Sequence, residues 1–206
     1  LGIAARQIRA VFAVGGNAND GFVKFCYHGP TLGCYPVSGN RQKLTGLDAR
    51  HYVRHLSLME SNFMAEALTE AELAAARGEV PIGAVLVDKQ GQILAREGNR
   101  TEELNDPTAH AEILVIREAA AQKGAPRLPD CDLYVTLEPC PMCATAISFA
   151  RLRRVYFGAP DAKGGGVDHG AKIFNQGTCR HAPEIYGGIE ESKATKLLTD
   201  FFHKRR

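Results

Sequence analysis

The sequence predicts an α/β fold, a three-layer α/β/α sandwich in which a central mixed five-stranded sheet lies between helical layers. Two observations carry this prediction. From Met59 onward, stretches with apolar residues at helical spacing alternate with short runs of β-branched and aliphatic residues. Their order is helix, two strands, helix, strand, helix, strand, which is typical of a sheet covered by helices.

The first three elements follow from spacing and turn residues. Two aliphatic runs in "IGAVLVDKQGQILAREGN" flank a turn around Gly91, which predicts a hairpin of two strands. The helix before them, which Gly78 ends, is predicted from an apolar stripe: Phe63, Met64, Ala67, Leu68, Ala71, Ala74 and Ala75.

The remaining elements alternate between helix and strand. A loop at 105–107 precedes a helix from about Ala109 to Lys123, which Gly124 and Pro126 end. After it we predict a strand in "DLYVTLE", a helix in "PMCATAISFARL", a strand in "RRVYFGA", a flexible loop at Lys163–Gly166, an edge strand in "EIYGGI" and a helix at Glu191–Lys204.

Composition narrows the class of protein. The chain has 206 residues, of which 45% are hydrophobic and 23% are charged, the balance of a globular protein that can bury a core. No window holds 18 uninterrupted apolar residues and no secretory signal is recognisable, so we expect a cytoplasmic protein without membrane contact. The net charge of +2 is too small to argue for nucleic-acid binding without local basic clusters.

The chain changes character near residue 58, which predicts an N-terminal extension at 1–58 and a folded domain at 59–206. The first 58 residues contain seven Lys or Arg, two Asp or Glu and eight Gly, and the first methionine is Met59. The extension is therefore expected to be non-native or poorly ordered, with Met59 as the natural start. An organelle transit peptide is the competing interpretation, although its serine content is low.

Candidate metal ligands lie at the predicted starts of the two middle helices. Cys140 and Cys143 are three residues apart, so their sulfurs share one face of a first helical turn. With His110 they make a tetrahedral zinc site that keeps one position for water. Glu112 is expected beside that water as a group that moves protons without binding the metal.

Each part of this set has an ordinary explanation when taken alone. A single Cys-x-x-Cys pair is often a redox pair or half of a structural zinc site, whose remaining ligands would be sought among Cys131, Cys179 and His181. His110 alone would be a capping or core histidine, and Glu112 alone a first-turn acid that complements the helix dipole. The specific signal is their conjunction, with Pro-Cys-x-x-Cys following the histidine by 30 residues.

The chain from Met59 to Arg206 resembles the bacterial tRNA-specific adenosine deaminases of the cytidine deaminase-like superfamily, whereas residues 1–58 do not. The resemblance implies a cytidine deaminase-like fold, a homodimer, and conversion of adenosine to inosine at the wobble position of a tRNA anticodon loop. It rests on "EVPIGAVLV", "GNR", "DPTAHAEI", "LYVTLEPCPMC", "ISFARLRRVYFGA", "DAKGG" and "DFFHKRR".

The resemblance also assigns residue roles. It implies that His110, Cys140 and Cys143 hold one Zn²⁺ and that a zinc-bound hydroxide attacks adenine while Glu112 shuttles protons. Substrate contacts are implied for Asn99 with the purine ring, the Ala111 backbone amide with the base, and Asp161 with the ribose. Without the resemblance, Asn99 and Asp161 would be ordinary turn and loop residues.

Local basic clusters support an RNA partner, the tRNA anticodon stem-loop. Basic side chains beside aromatic ones suit a single-stranded loop, whose phosphates they neutralise and whose bases they stack. Each cluster alone also has a structural explanation, as a helix-dipole partner or a core aromatic pair. The candidates for RNA contact are Arg151, Arg153, Arg154, Phe202, Lys204 and Arg205.

Two other functions stay open on the sequence alone. A deaminase of a free purine base or nucleoside, such as guanine, would use the same zinc constellation. A zinc-stabilised binding module without turnover would need the metal but not the glutamate. The basic clusters favour the RNA substrate over the free base.

Overall fold

The computed structural model describes residues 24–27, 33–36 and 63–205. The chain divides into two units, Leu1–Tyr52 and Val53–Arg206. In the first unit, strand β1 (Lys24–Tyr27) pairs antiparallel with strand β2 (Gly33–Pro36). The boundary predicted between residues 58 and 59 lies outside the described residues and stays a prediction.

The second unit contains the elements that the sequence predicts, in the predicted order. They are helix α1 (63–76), strands β3 (Gly83–Asp88) and β4 (Ile93–Gly98), helix α2 (Ala111–Lys123), strand β5 (Cys131–Leu137), helix α3 (Pro141–Ala150), strand β6 (Arg154–Ala159), strand β7 (Glu184–Gly187) and helix α4 (Glu191–Lys204). A 3-10 turn (Ile173–Asn175), which was not predicted, lies between β6 and β7.

One mixed sheet of five strands joins these elements in the order β4-β3-β5-β6-β7. Strand β3 runs antiparallel to both β4 and β5, and β5, β6 and β7 run parallel to one another. The prediction of a mixed five-stranded sheet is confirmed, as is the edge position of the short last strand.

Alternate residues of each central strand face opposite helical layers. On β5, Leu133 and Val135 belong to the core that packs against α2 and α3. Tyr134 between them belongs to the core that packs against α1 and α4. This period of two places one helical layer on each face of the sheet, which confirms the predicted three-layer sandwich.

The middle helices differ from the predicted boundaries at their ends. Helix α2 begins two residues later than expected, because Asp106 organises a turn in which its Oδ1 accepts hydrogen bonds from the N–H and hydroxyl groups of Thr108. Helix α3 ends at Ala150, where Arg151 adopts a left-handed conformation with φ 56°.

None of the helices among the described residues combines the length and apolar character of a membrane span.

Candidate metal centre

The three predicted ligands meet where α2 and α3 begin. His110 is the N-cap residue of α2 and Cys140 is the N-cap residue of α3, both with extended backbone conformations. Pro141 starts α3, so Cys143 follows in its first turn. One ligand atom from each of the three residues lies within 4.8 Å of the others.

The spacing of the donor atoms fits a tetrahedral zinc ion. His110 Nδ1 lies 3.7 Å from Cys140 Sγ and 3.5 Å from Cys143 Sγ. Two ligands at ordinary Zn–N and Zn–S bond lengths with a tetrahedral angle are separated by about 3.5 Å. One nitrogen and two sulfurs are also the donor types that zinc prefers, so His110, Cys140 and Cys143 are positioned to hold it.

Electrostatics favour the thiolate form of one of the two sulfurs, that of Cys140. A hydrogen bond from Cys143, assisted by His110 and opposed by burial, lowers the pKa of Cys140 to about 4. The hydrogen bond to Cys140 together with burial raises the pKa of Cys143, which therefore keeps its proton. The pair thus holds one thiolate and one proton that metal binding displaces.

Glu112 lies buried beside these ligands. Its exposed fraction is 3%, and burial raises the pKa of its carboxyl group. Within the described part of the chain, its Oε2 is the one buried side-chain oxygen or nitrogen without a hydrogen-bonding partner. A native protein seldom leaves such an atom unpaired, so the atom is available for a bound molecule.

The predicted substrate residues Asn99 and Ala111 contact each other. Asn99 follows β4 directly, and its Oδ1 accepts a hydrogen bond of 2.9 Å from the Ala111 N–H. Asn99 is 3% exposed, which is unusual for a simple turn residue. The contact of the Ala111 N–H with the base stays a prediction, since here that group donates to Asn99.

Asp161 lies in the loop that follows β6, at the same end of the sheet as the metal ligands. The register pairs Leu137 of β5 with Ala159 of β6, so the chain segments after both strands emerge together. Asp161 Oδ1 accepts hydrogen bonds from the backbone N–H groups of Lys163 and Gly164, which is typical of an Asx turn.

Sequence reasoning missed two buried glutamates that hold the loops around this site. Glu79 accepts hydrogen bonds from the Thr101 hydroxyl and from the N–H groups of Glu102 and Glu103. Glu138 accepts bonds from the loop after β6 and from His169. A charged residue inside the apolar stretch "LYVTLEPC" was the signal in the sequence, because a buried carboxylate needs partners.

The alternative zinc ligands lie outside this cluster. Cys131 is the first residue of β5, at the end of the strand away from Cys140. Cys179 contacts Ser148 Oγ and donates to the carbonyl oxygen of His181. Among the described residues no fourth cysteine, histidine or carboxylate joins the group, which leaves a structural four-ligand site without its last ligand.

Two of the three predicted RNA contacts in "RLRR" are engaged within the fold. Arg153 donates two hydrogen bonds to the buried carboxylate of Asp132, and Arg154 pairs with Glu184 at 2.8 Å. These residues lie at the start of β6, at the opposite end of the sheet from Cys140. Arg151 is exposed at the end of α3.

The predicted contacts of the C-terminal helix differ from one another. Phe202 is 49% exposed and Lys204 is exposed, whereas Arg205 donates to the Gly78 carbonyl oxygen and lies over the Phe201 ring. Phe202 also packs edge-on against Phe201, with ring centroids 5.4 Å apart. Local composition could not distinguish Lys204 from Arg205.

Comparison with known proteins identifies the family. The profile of the cytidine and deoxycytidylate deaminase zinc-binding region matches residues 58–159. The tRNA-specific adenosine deaminase of Agrobacterium fabrum is 59% identical over 146 residues, which are 71% of this chain and 95% of the relative. The Bacillus subtilis tRNA-specific adenosine deaminase is 44% identical, over 70% of this chain and 89% of its own length.

Solved structures agree with these matches. A structure from a study of A-to-I editing by tRNA:A34 deaminases at the wobble position superimposes with a TM-score of 0.65 and 60% identity, over 66% of this chain and 99% of its own. Guanine deaminase from Nitrosomonas europaea shares the fold with a TM-score of 0.59 at 20% identity, over 68% of this chain and 83% of its own. With a zinc-binding donor set at its centre and close relatives along most of its second unit, the chain belongs to the tRNA-specific adenosine deaminases.

Proposed function

We propose that this protein hydrolyses adenosine to inosine at the wobble position of a tRNA anticodon loop. The observation that carries the proposal is the three-ligand cluster of His110, Cys140 and Cys143 with the unpaired Oε2 of Glu112 beside it. The relatives named for this activity, at up to 59% identity, select adenosine in tRNA among the substrates of zinc deaminases.

Zinc held by His110, Cys140 and Cys143 would lower the pKa of a water molecule, so that hydroxide would be available near neutral pH for attack on C6 of adenine. Glu112 would take one proton from that water and deliver it to N1 of the purine. It would then take the second proton from the hydroxyl group added at C6 and pass it to the exocyclic amine, which would leave as ammonia while the C6 carbonyl forms. Burial raises the pKa of the Glu112 carboxyl group, which favours the protonated form that donates to the purine.

The remaining residues bind the substrate. Asn99 Oδ1 is engaged by Ala111, so its amide nitrogen is the group that donates to a ring nitrogen of the purine. Asp161 lies on the loop after β6, and its carboxylate accepts a hydrogen bond from a hydroxyl group of the ribose. The exposed Phe202 and Lys204 contact the anticodon loop, whose unstacked bases cost less to extrude than those of a duplex.

We also propose, from the family resemblance, that the protein is a cytoplasmic homodimer. Sedimentation at micromolar concentration tests the dimer. A monomer that is fully active on the stem-loop contradicts this part of the proposal without affecting the chemistry.

A synthetic anticodon stem-loop with adenosine at the wobble position tests the activity. We expect a mass gain of about 1 Da, which is the change from an amine to a carbonyl, confined to that nucleotide. Free adenosine and guanine are assayed in parallel, and turnover of the free compounds alone contradicts the tRNA substrate. Glu112→Gln should abolish the mass gain while keeping the zinc content, whereas full activity in this variant contradicts the proposed role of Glu112.

A further inference from the structure

One buried carboxylate organises the loop that follows β6. The side chain of Glu138 has no exposed surface. Its Oε1 accepts hydrogen bonds of 3.2, 2.9 and 2.9 Å from the N–H groups of Val167, Asp168 and His169. Its Oε2 accepts the Asp161 N–H at 3.0 Å and lies 2.7 Å from His169 Nδ1. Five donors therefore converge on a single charged group.

The loop at 161–169 contains no helix or strand of its own. Its internal backbone bonds close only the first turn, where Gly165 N–H donates to the Asp161 carbonyl oxygen. A segment without a regular hydrogen-bond ladder needs partners from elsewhere to fix its conformation. Glu138 supplies them at both ends of the loop.

The same loop packs against the turn that carries the metal ligands. Gly166 N–H donates to the Pro139 carbonyl oxygen at 2.8 Å. A β-carbon on Gly166 would lie 2.6 Å from the backbone nitrogen of Pro141, so only glycine permits this approach. Because Glu138 immediately precedes Pro139, one short segment holds both the loop and the start of α3.

We propose that Glu138 is a positioning residue for substrate binding: it holds the 161–169 loop so that Asp161 meets the nucleotide bound at the metal centre. The inference rests on the proposed function, since it assigns Asp161 to the substrate. The Glu138 side chain has no exposed surface, and both of its oxygens are bonded to the loop. Its effect therefore passes through Asp161 and appears in binding more than in chemistry.

Glu79 provides a matched control. It is also a buried glutamate, with 1% exposure, and it also accepts backbone N–H groups, from the turn at 101–103. Glu79→Gln removes a comparable set of bonds from another loop. If the loss of a buried carboxylate acts only through stability, both variants should show the same effect. Non-additivity with a substitution at Asp161 should instead be found only for the Glu138 variant.

The test is a double-mutant cycle on the full-length zinc enzyme with the anticodon stem-loop as substrate. Glu138→Gln should raise KM about tenfold while kcat stays within about threefold. The reason is that a contact which binds the substrate and the transition state equally well changes KM and leaves kcat almost unaffected when it is lost. Zinc content should remain that of the wild type. Asp161→Asn should raise KM when it is introduced into the wild type, but it should raise KM little further in the Glu138→Gln variant. In the Glu79→Gln variant, by contrast, Asp161→Asn should raise KM by the same factor as in the wild type.

His169→Ala provides a second route, because His169 is partly exposed and its loss removes a single donor from Glu138. It should raise KM in the same direction by a smaller factor, and it replaces Glu138→Gln in the cycle if that variant does not fold. Independent, multiplying effects of Glu138 and Asp161, or an unchanged KM, would overturn the inference. A wild-type enzyme that leaves the stem-loop unmodified would instead overturn the proposed function itself.

Discussion

The side-chain oxygen Oδ1 of Asn99 accepts a hydrogen bond from the backbone N–H of Ala111 at 2.9 Å. The bond joins the residue after β4 to the first residue of α2, the helix whose first turn carries Glu112. The purine-binding candidate and the proton-transfer candidate are thereby fixed relative to each other. A change at Asn99 should consequently affect both stability and catalysis.

Replacing Asn99 with Ala leaves the buried Ala111 N–H without an acceptor and removes the amide that faces the purine. We expect the free energy of unfolding to fall by about 1–3 kcal/mol and kcat/KM on the stem-loop to fall about tenfold or more. Denaturant unfolding and initial rates measure the two effects. Asn175→Ala, at an exposed position in the 3-10 turn, is the control and should change neither. A stable, fully active Asn99→Ala protein would contradict both roles.

Periodicity predicted the fold well because burial in a layered protein follows the helical and strand periods. The apolar stripe from Phe63 to Ala74 is buried against the sheet, and the hairpin turns at Gly91 with φ 80°. Helix ends were less predictable. The Asp106 turn displaced the start of α2, since a side chain that bonds its own backbone competes with the helix.

Spacing along the chain also predicted the metal ligands, because Cys140 and Cys143 share a helical turn whatever surrounds them. The loop at Lys163–Gly166 shows where such reasoning stops. Its glycines suggested flexibility, yet Gly166 allows close packing on Pro141 and Glu138 binds the backbone on either side. Contacts between residues about 25 positions apart cannot be read from local composition.

Zinc content should fall when either of two cysteines is replaced and should stay unchanged when either of two others is replaced. Cys140→Ser and Cys143→Ser each remove a thiolate from the three-ligand set, so we expect the purified variants to lose their zinc. Metal analysis measures this directly. Cys131→Ser and Cys179→Ser are the controls and should keep the wild-type content, since neither sulfur lies in the cluster. Zinc loss on changing Cys179 would indicate a four-ligand structural site instead.

Acid stability should depend on Glu79. Burial alone would raise its pKa, but hydrogen bonds from Glu103, Thr101 and Glu102 lower it below the ordinary value of 4.5. A lowered pKa means that the folded state binds fewer protons, so the stabilisation is present above about pH 5 and is lost as the pH falls through the folded pKa.

The stability difference between wild type and Glu79→Gln should therefore be largest near neutral pH and shrink below pH 4.5. Urea unfolding at a series of pH values measures it. Glu102→Gln, an exposed change in the same turn, should give no comparable difference. A gap that widens toward acid would show that Glu79 is not the stabilising carboxylate.

Substitutions in the two basic clusters that are predicted to contact RNA should have different effects, one on stability and the other on RNA binding. Arg153 is 33% exposed and bonds to Asp132, which is only 7% exposed, so Arg153→Ala leaves a buried carboxylate with only the more distant Arg154. We expect its free energy of unfolding to fall by about 1–3 kcal/mol, less than for a fully buried pair.

Lys204 forms no ion pair among the described residues and is exposed at the end of α4, so Lys204→Ala should leave stability unchanged and weaken binding of the stem-loop. The loss of one phosphate contact should reduce the slope of log K against log salt by about 0.7, the value for a single strand. Fluorescence anisotropy at several salt concentrations measures the slope. The opposite result would be an Arg153→Ala protein that is as stable as the wild type but has the smaller salt slope. Arg153 would then neutralise an RNA phosphate and not Asp132. The RNA would in that case bind at the end of the sheet that lies away from Cys140.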